Sequence, residues 1–323
     1  MRSDRKSVLK LGRYKMNNYY PEGALFMSPD NQNSIKSIFA LQEAMAQEKI
    51  LEARVTMCDS GHNLHVELPC ANCSGIIYHE EGALGIADGS TKDIALITRV
   101  NKPVCFKVKQ LLKNDSGSYT AVLSRREVQE ECMERFISRL SPGDIIPAKV
   151  THLEQFGAFV DIGCGIPSLI PIDAISISRI SHPSDRFRAG QDIHVVIKDV
   201  SGGRVWLSHK ELLGTWEENA ARFNYGETVS GIIRSVEDYG IFVELAPNLA
   251  GLAEPKEGVS VGQNASVYIK ALIPEKMKVK LIIVDVFSGA DIHRPPEYFI
   301  TEGRLSYWKY SPDSSAKLIE SRF

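Results

Sequence analysis

Residues 237–246 read EDYGIFVELA, and residues 154–163 read EQFGAFVDIG. Each places an aromatic, a glycine, a small or aliphatic residue and a phenylalanine ahead of an alternating strand. Laying Phe156-Gly157-Ala158-Phe159 over Tyr239-Gly240-Ile241-Phe242 brings Val160 onto Val243, Asp161 onto Glu244 and Ile162 onto Leu245 without a gap. Upstream, GDIIPAKVTHL (143–153) lies over GETVSGIIRSV (226–236). Downstream, each copy passes a Gly-Gln pair and closes on a strand, GRVWLSHK (203–210) or MKVKLIIV (277–284). The chain therefore writes one unit at 143–210 and again at 225–286. A fainter copy fills 51–125, from LEARVTMCDSGHNLHVEL to YTAVLSRRE. Placing its Leu64 and Val66 over Val160 and Ile162 puts Ser60 and Asn63 at the aromatic positions.

Each unit reads as about five short alternating strands with a glycine-centred bend between the first two, the pattern of a small closed OB-type barrel. Alternation sends Ala158, Val160 and Ile162, and equally Ile241, Val243 and Leu245, into the barrel, so Phe159 and Phe242 face out. Phe156 and Tyr239 precede a glycine whose permissive backbone swings their rings beside the outward phenylalanine. Solvent-facing aromatic pairs generally cover something, and a stack on an unpaired base is worth ~1–3 kcal/mol. Packing under a neighbouring loop explains one such pair as well; two pairs at equivalent positions favour a stacking platform.

Between the units the period becomes helical. Val128, Cys132, Phe136, Ile137 and Leu140 stripe a linker helix at 126–142, and Leu212, Leu213, Trp216, Ala220 and Phe223 stripe another at 211–224. Ahead of the first unit, a basic arm and one amphipathic helix capped at Asn33 or Ser34 make up residues 1–50, and Ile35, Ile38, Phe39, Leu41 and Met45 line its apolar face. Residues 287–323 read as an aromatic hairpin, with Trp308 and Tyr310 on one face. The fold class expected is all-β with connecting helices, built as tandem five-stranded barrels.

With a net charge of −2, this chain does not hold polyanions by bulk charge, so stacking and local cations must do so. Nothing approaches the ~18 consecutive apolar residues of a membrane span; the N-terminus lacks the apolar core of a secretory signal, and a cytoplasmic location is expected.

The run GDxxxAKVTxLEQFGAFVDIG, ending in GRVWLSHKE, resembles the S1 RNA-binding domain family, and the junction LLGTWEENAARFNYGETVSGIIRSVEDYGIFVEL resembles the link between adjacent domains of that family. The likeness spans residues 140–285 and, more faintly, 51–125; the whole chain resembles the short, three-repeat form of small-subunit ribosomal protein S1 of Gram-positive bacteria. The resemblance implies OB barrels that bind single-stranded RNA, mRNA included, without catalysis and without a cofactor, membrane or small-molecule substrate, and it suggests the small ribosomal subunit as a partner. It assigns the stacking rings to Phe156 and Phe159 and to Tyr239 and Phe242, and the family's Asp and Arg near the last strands to Asp199 and Arg204. Lys278 takes the basic position in the third unit and Thr120 in the first; Lys149 and Arg234 are further phosphate partners. The family's histidine after the third strand is replaced by Pro171, Tyr78 and Glu254. The second unit is thus the best equipped, and the first is expected to hold a protein partner instead.

Cys70 and Cys73 have the C-x₂-C spacing of zinc ligands. No second pair completes a site, and alternation points His62 inward while His65 faces out, so the neighbouring histidines do not converge; no metal is expected. No P-loop, H-E-x-x-H or nucleophile elbow appears. A protein adaptor, or the RNA-binding accessory subunit of a ribonuclease, is the competing function; an adaptor would tolerate loss of Phe159 and Phe242.

Overall fold

The computed structural model describes residues 8–9, 19–287 and 295–323. The chain divides into two compact units: Tyr14–Leu140 with Asp161–Pro167, and Met1–Arg13 and Ser141–Val160 with Ser168–Phe323. The basic arm lies outside the described residues except for Val8–Leu9, which pair antiparallel with Leu305 and Arg304.

Three closed five-stranded barrels carry the chain. Barrel 1 uses strands Leu51–Cys58, Leu64–Val66, Cys73–Ile77, Pro103–Lys113 and Tyr119–Ser124. Barrel 2 uses Ile145–Glu154, Gly157–Asp161, Pro167–Pro171, Asp192–Ser201 and Arg204–Ser208. Barrel 3 uses Thr228–Glu237, Gly240–Ala246, Leu249–Ala253, Asn264–Ile273 and Lys278–Phe287. In each the strand order is 1-2-3-5-4, with the fourth strand returning to the first. The third and fifth strands pair in parallel, and every other pairing among the registers is antiparallel. This is the closure of an OB barrel, which leaves no sheet edge open.

Alternation fills the interiors. Val150, Ala158, Val160, Ile170, Val195, Ile197 and Leu207 are buried in barrel 2, and Ile233, Ile241, Val243, Val267, Ile269, Val279 and Leu281 in barrel 3. Each Val, Leu or Ile among them contributes about 1.5–3 kcal/mol when fully withdrawn from water. Gly157 and Gly240 are glycines for a reason beyond the bend. A Cβ at Gly157 would sit 2.4 Å from the Ile170 carbonyl oxygen, and one at Gly240 2.7 Å from that of Ala253. The third strand runs too close for any side chain.

Four expectations change. Leu245 is only half-buried: a bulge between Glu244 and Ala246 breaks the alternation, and Ala246 joins the barrel 3 core in its place. The first amphipathic segment is two helices, Pro29–Ile35 capped by Ser28 and Ile38–Ala46 capped by Ser37, because the Ser37 hydroxyl accepts from the Ala40 amide and restarts the helix. Ile35, Leu41 and Ala44 join the barrel 1 core, while Phe39 stays 75% exposed. The 211–224 linker is a single turn, Lys210–Leu213, and a short helix, Trp216–Ala220, divided at Gly214 with φ 82°. Finally, the segment expected as one hairpin over 287–323 makes two separate antiparallel pairings: Tyr307–Lys309 with Glu320–Arg322, and Arg304–Leu305 with Val8–Leu9. Trp308 and Tyr310 are buried in the barrel 3 core, and the Tyr310 hydroxyl donates to the Asn248 carbonyl at 2.5 Å.

Candidate nucleic-acid interface

On barrel 2, Phe156 stands 56% exposed at the turn and Phe159 half-buried on the second strand. On barrel 3, Tyr239 is 69% exposed beside a half-buried Phe242. The rings meet edge to face, not side by side: centroids lie 5.9 Å apart at 87° in barrel 2 and 6.2 Å apart at 86° in barrel 3. This T-shaped contact is favoured by the ring quadrupoles. It leaves the outer ring's faces open while the inner ring is braced. His152 adds a plane to barrel 2, stacked on Phe159 at 6.4 Å and 27° and held by Glu154 at 2.6 Å.

Strand register extends the face. In barrel 3, Phe242 lies opposite Leu252 and Leu252 opposite Lys280, all on the outer side. In barrel 2, Leu169 lies opposite Trp206, which is 40% exposed and two residues from the exposed Arg204. Trp206 is a third outward aromatic that the motif comparison missed; its alternation with Arg204 in GRVWLSHK was the signal.

The cations divide. Arg204 and Lys278 are exposed at equivalent positions. Asp199 lies opposite Trp206 and accepts from the Ser201 hydroxyl at 2.7 Å. Lys149 is half-buried and 3.3 Å from the Asp192 carboxylate. Arg234 is not presented to a ligand, because its guanidinium is held by Asp185 at 3.1 Å and Glu244 at 2.9 Å. Burial works against the Asp185 carboxylate, yet Arg234 beside it holds the group below the usual range.

Barrel 1 overturns the alignment that placed Ser60 and Asn63 at its aromatic positions. Val55, Met57 and Cys58 pair with Val66, His65 and Leu64 across a bulge. Ile233, Ser235 and Val236 pair with Val243, Phe242 and Ile241 across the same bulge. The Thr56 hydroxyl donates to the His65 carbonyl as the Thr151 hydroxyl does to that of Phe159. His65 therefore occupies the place of Phe159 and Phe242, His62 that of Phe156 and Tyr239, and Asn63 that of the glycine. His62 also escapes the inward direction that alternation gave it, because its φ of 58° breaks the strand's parity. Both imidazoles sit among carboxylates: His65 is 3.1 Å from Asp59, and His62 3.6 Å from Asp93. The His65 hydrogen bond, with the Asn63 amide, lowers the Asp59 carboxyl to about 2. The Cys70–Cys73 pair gathers no further ligand among the described residues.

The S1 RNA binding domain family matches residues 139–210, which contain all of barrel 2. Small ribosomal subunit protein bS1 of Staphylococcus aureus (strain COL) is 28% identical over 292 residues, covering 84% of this chain and 70% of that protein. That of Leuconostoc lactis is 28% identical over 268 residues, covering 76% and 62%. A solved multidomain protein with nucleic acid binding domains from Streptococcus pneumoniae TIGR4 aligns over 74% of each chain at 12% identity, with a TM-score of 0.25 too low to carry an argument. Residues 139–210 thus match the S1 RNA binding domain family, and the chain is similar to bacterial bS1 proteins over most of its length.

Proposed function

We infer that the chain is a non-catalytic binder of single-stranded RNA with a bS1-like role in translation, holding mRNA through aromatics on barrels 2 and 3. The observation that carries this reading is the repetition of one outward pair, Phe156 with Phe159 and Tyr239 with Phe242, at equivalent turns of two barrels. Each pair offers a flat face to a base of any identity, at ~1–3 kcal/mol per stack. Arg204 with Trp206, and Lys278 with Lys280, add a cation beside each face. Two weak sites on one chain reinforce each other by effective concentration, by a factor of about 10²–10⁴ when the geometry lets both engage. Barrel 1 contributes less, since its imidazoles are tied to carboxylates that repel phosphate. The small ribosomal subunit is the partner that the bS1 relatives suggest, in the cytoplasm. The test is titration of the whole chain with a fluorescent oligo(U) and with the same oligomer annealed to its complement. The reading expects the single strand to bind about tenfold tighter, since stacking requires unpaired bases. Equal affinity for the duplex would contradict it. Co-sedimentation with purified small subunits tests the ribosomal partner separately.

A further inference from the structure

Barrel 1 gathers two imidazoles and a carboxylate beside its second strand. The His62 Nδ1 lies 3.6 Å from one oxygen of Asp93, and the His79 Nε2 lies 2.7 Å from the other. One ligand atom from each residue falls within 4.8 Å of the others, and all three side chains are half-buried. The two rings are 5.8 Å apart, tilted by 40°. A tetrahedral ion with bonds of about 2.1 Å holds its ligands about 3.4 Å apart, inside this range.

Several features hold the set together. His62 projects from a left-handed residue, φ 58°, that turns its ring out of the barrel. The His79 amide donates to the Asn63 side-chain oxygen at 3.0 Å, tethering one ligand-bearing turn to the other. Asp93 sits at the N-cap of the helix Ile94–Ile97 but makes no capping bond. An aspartate there ordinarily accepts from the first-turn amides; this carboxylate faces the histidines instead. The nearby cysteines are a poorer donor set: Cys70 is buried, and burial together with Cys70 pushes the Cys73 thiol up to about 11.

Two imidazoles and one carboxylate are the donor set of a borderline divalent ion, with hard ions preferring oxygen alone. We propose that His62, His79 and Asp93 form a divalent-metal site of the zinc class on barrel 1, with one coordination position left to an outside ligand. This site stands where barrels 2 and 3 place their outer ring, so metal replaces an aromatic at that turn. It does not depend on the RNA-binding reading.

The test is titration of the tag-free, chelator-stripped full chain with zinc chloride against a competing chromophoric indicator, paired with cobalt(II) spectra. The expected result is one zinc per chain. His62→Ala and Asp93→Asn each weaken binding at least tenfold while melting temperatures without metal stay as in the parent; Cys70→Ser/Cys73→Ser leaves it unchanged. Cobalt should give weak visible bands and no thiolate charge-transfer band. Absence of stoichiometric binding would overturn the proposal, as would a strong thiolate band or affinity that survives loss of His62 and Asp93 but not of the cysteines.

Discussion

The Arg186 guanidinium, from the loop after the third strand of barrel 2, is buried against the Glu244 carboxylate on the second strand of barrel 3. Arg234 reaches the same carboxylate at 2.9 Å and Asp185 at 3.1 Å, so two cations and two anions form one chain of ion pairs between the barrels. Around it the Asn248 side chain accepts from the Ile177 amide at 2.9 Å and donates to the Gly214 carbonyl at 2.9 Å. The barrels that carry the two aromatic faces are therefore joined by buried polar contacts.

Glu244→Ala should be strongly destabilising, because it strands two guanidiniums with too little negative charge. Breaking one side of a buried pair costs about 3–5 kcal/mol. Urea unfolding followed by tryptophan fluorescence measures it; a loss under 1 kcal/mol would mean that water already screens these ion pairs.

His209 predicts an acid-labile second unit. It is fully buried, with Nδ1 donating to the Ile175 carbonyl at 2.8 Å and Nε2 accepting from the Tyr298 hydroxyl at 3.1 Å. Burial pushes it down to about 4. Between that value and the unfolded pKa near 6.5, the unfolded chain binds a proton that the folded chain refuses, so stability falls as pH drops through the window. The loss is about 3 kcal/mol for this one group. His209→Gln should lose less stability than the parent between pH 6.5 and 4.5, whatever its stability at neutral pH. Parallel losses in the two proteins would refute the assignment.

Salt should weaken RNA binding only gently. With Arg234 held internally, Lys149, Arg204 and Lys278 remain as proposed phosphate partners, and each should add about −0.7 to the slope of log K against log[salt]. Affinities from 50 to 300 mM salt should give a slope near −2. A slope steeper than about −5 would place the affinity in bulk charge.

The barrels were legible because interior alternation survives in every copy, and Val160 and Val243 announce the same strand. The aromatic turns were legible for the same reason. Barrel 1 was misread by two residues because Gly61 looks like the repeat's glycine, whereas the register puts Asn63 there. Asn63 takes that place with its own side-chain oxygen accepting from the His79 amide, and no periodicity encodes that substitution. The convergence of His62 with His79 and Asp93 was hidden likewise, since one left-handed residue cancels the alternation on which the reading rested. Arg234 looked available because its partners, Glu244 on the next strand and Asp185 from the loop after the third strand of barrel 2, are brought to it by the fold and leave no periodic trace in the sequence.

The central claim, that exposed rings on barrels 2 and 3 hold single-stranded RNA together, is tested most directly by Phe156→Ala/Tyr239→Ala. Both rings are more than half exposed, so their loss leaves the cores intact. Equilibrium binding of oligo(U) long enough to span both barrels is measured for parent, single and double variants at fixed salt. Two lost stacks at ~1–3 kcal/mol each predict at least about a thirtyfold weaker Kd for the double variant, with unfolding midpoints unchanged. A double variant that binds oligo(U) as tightly as the parent would contradict the account.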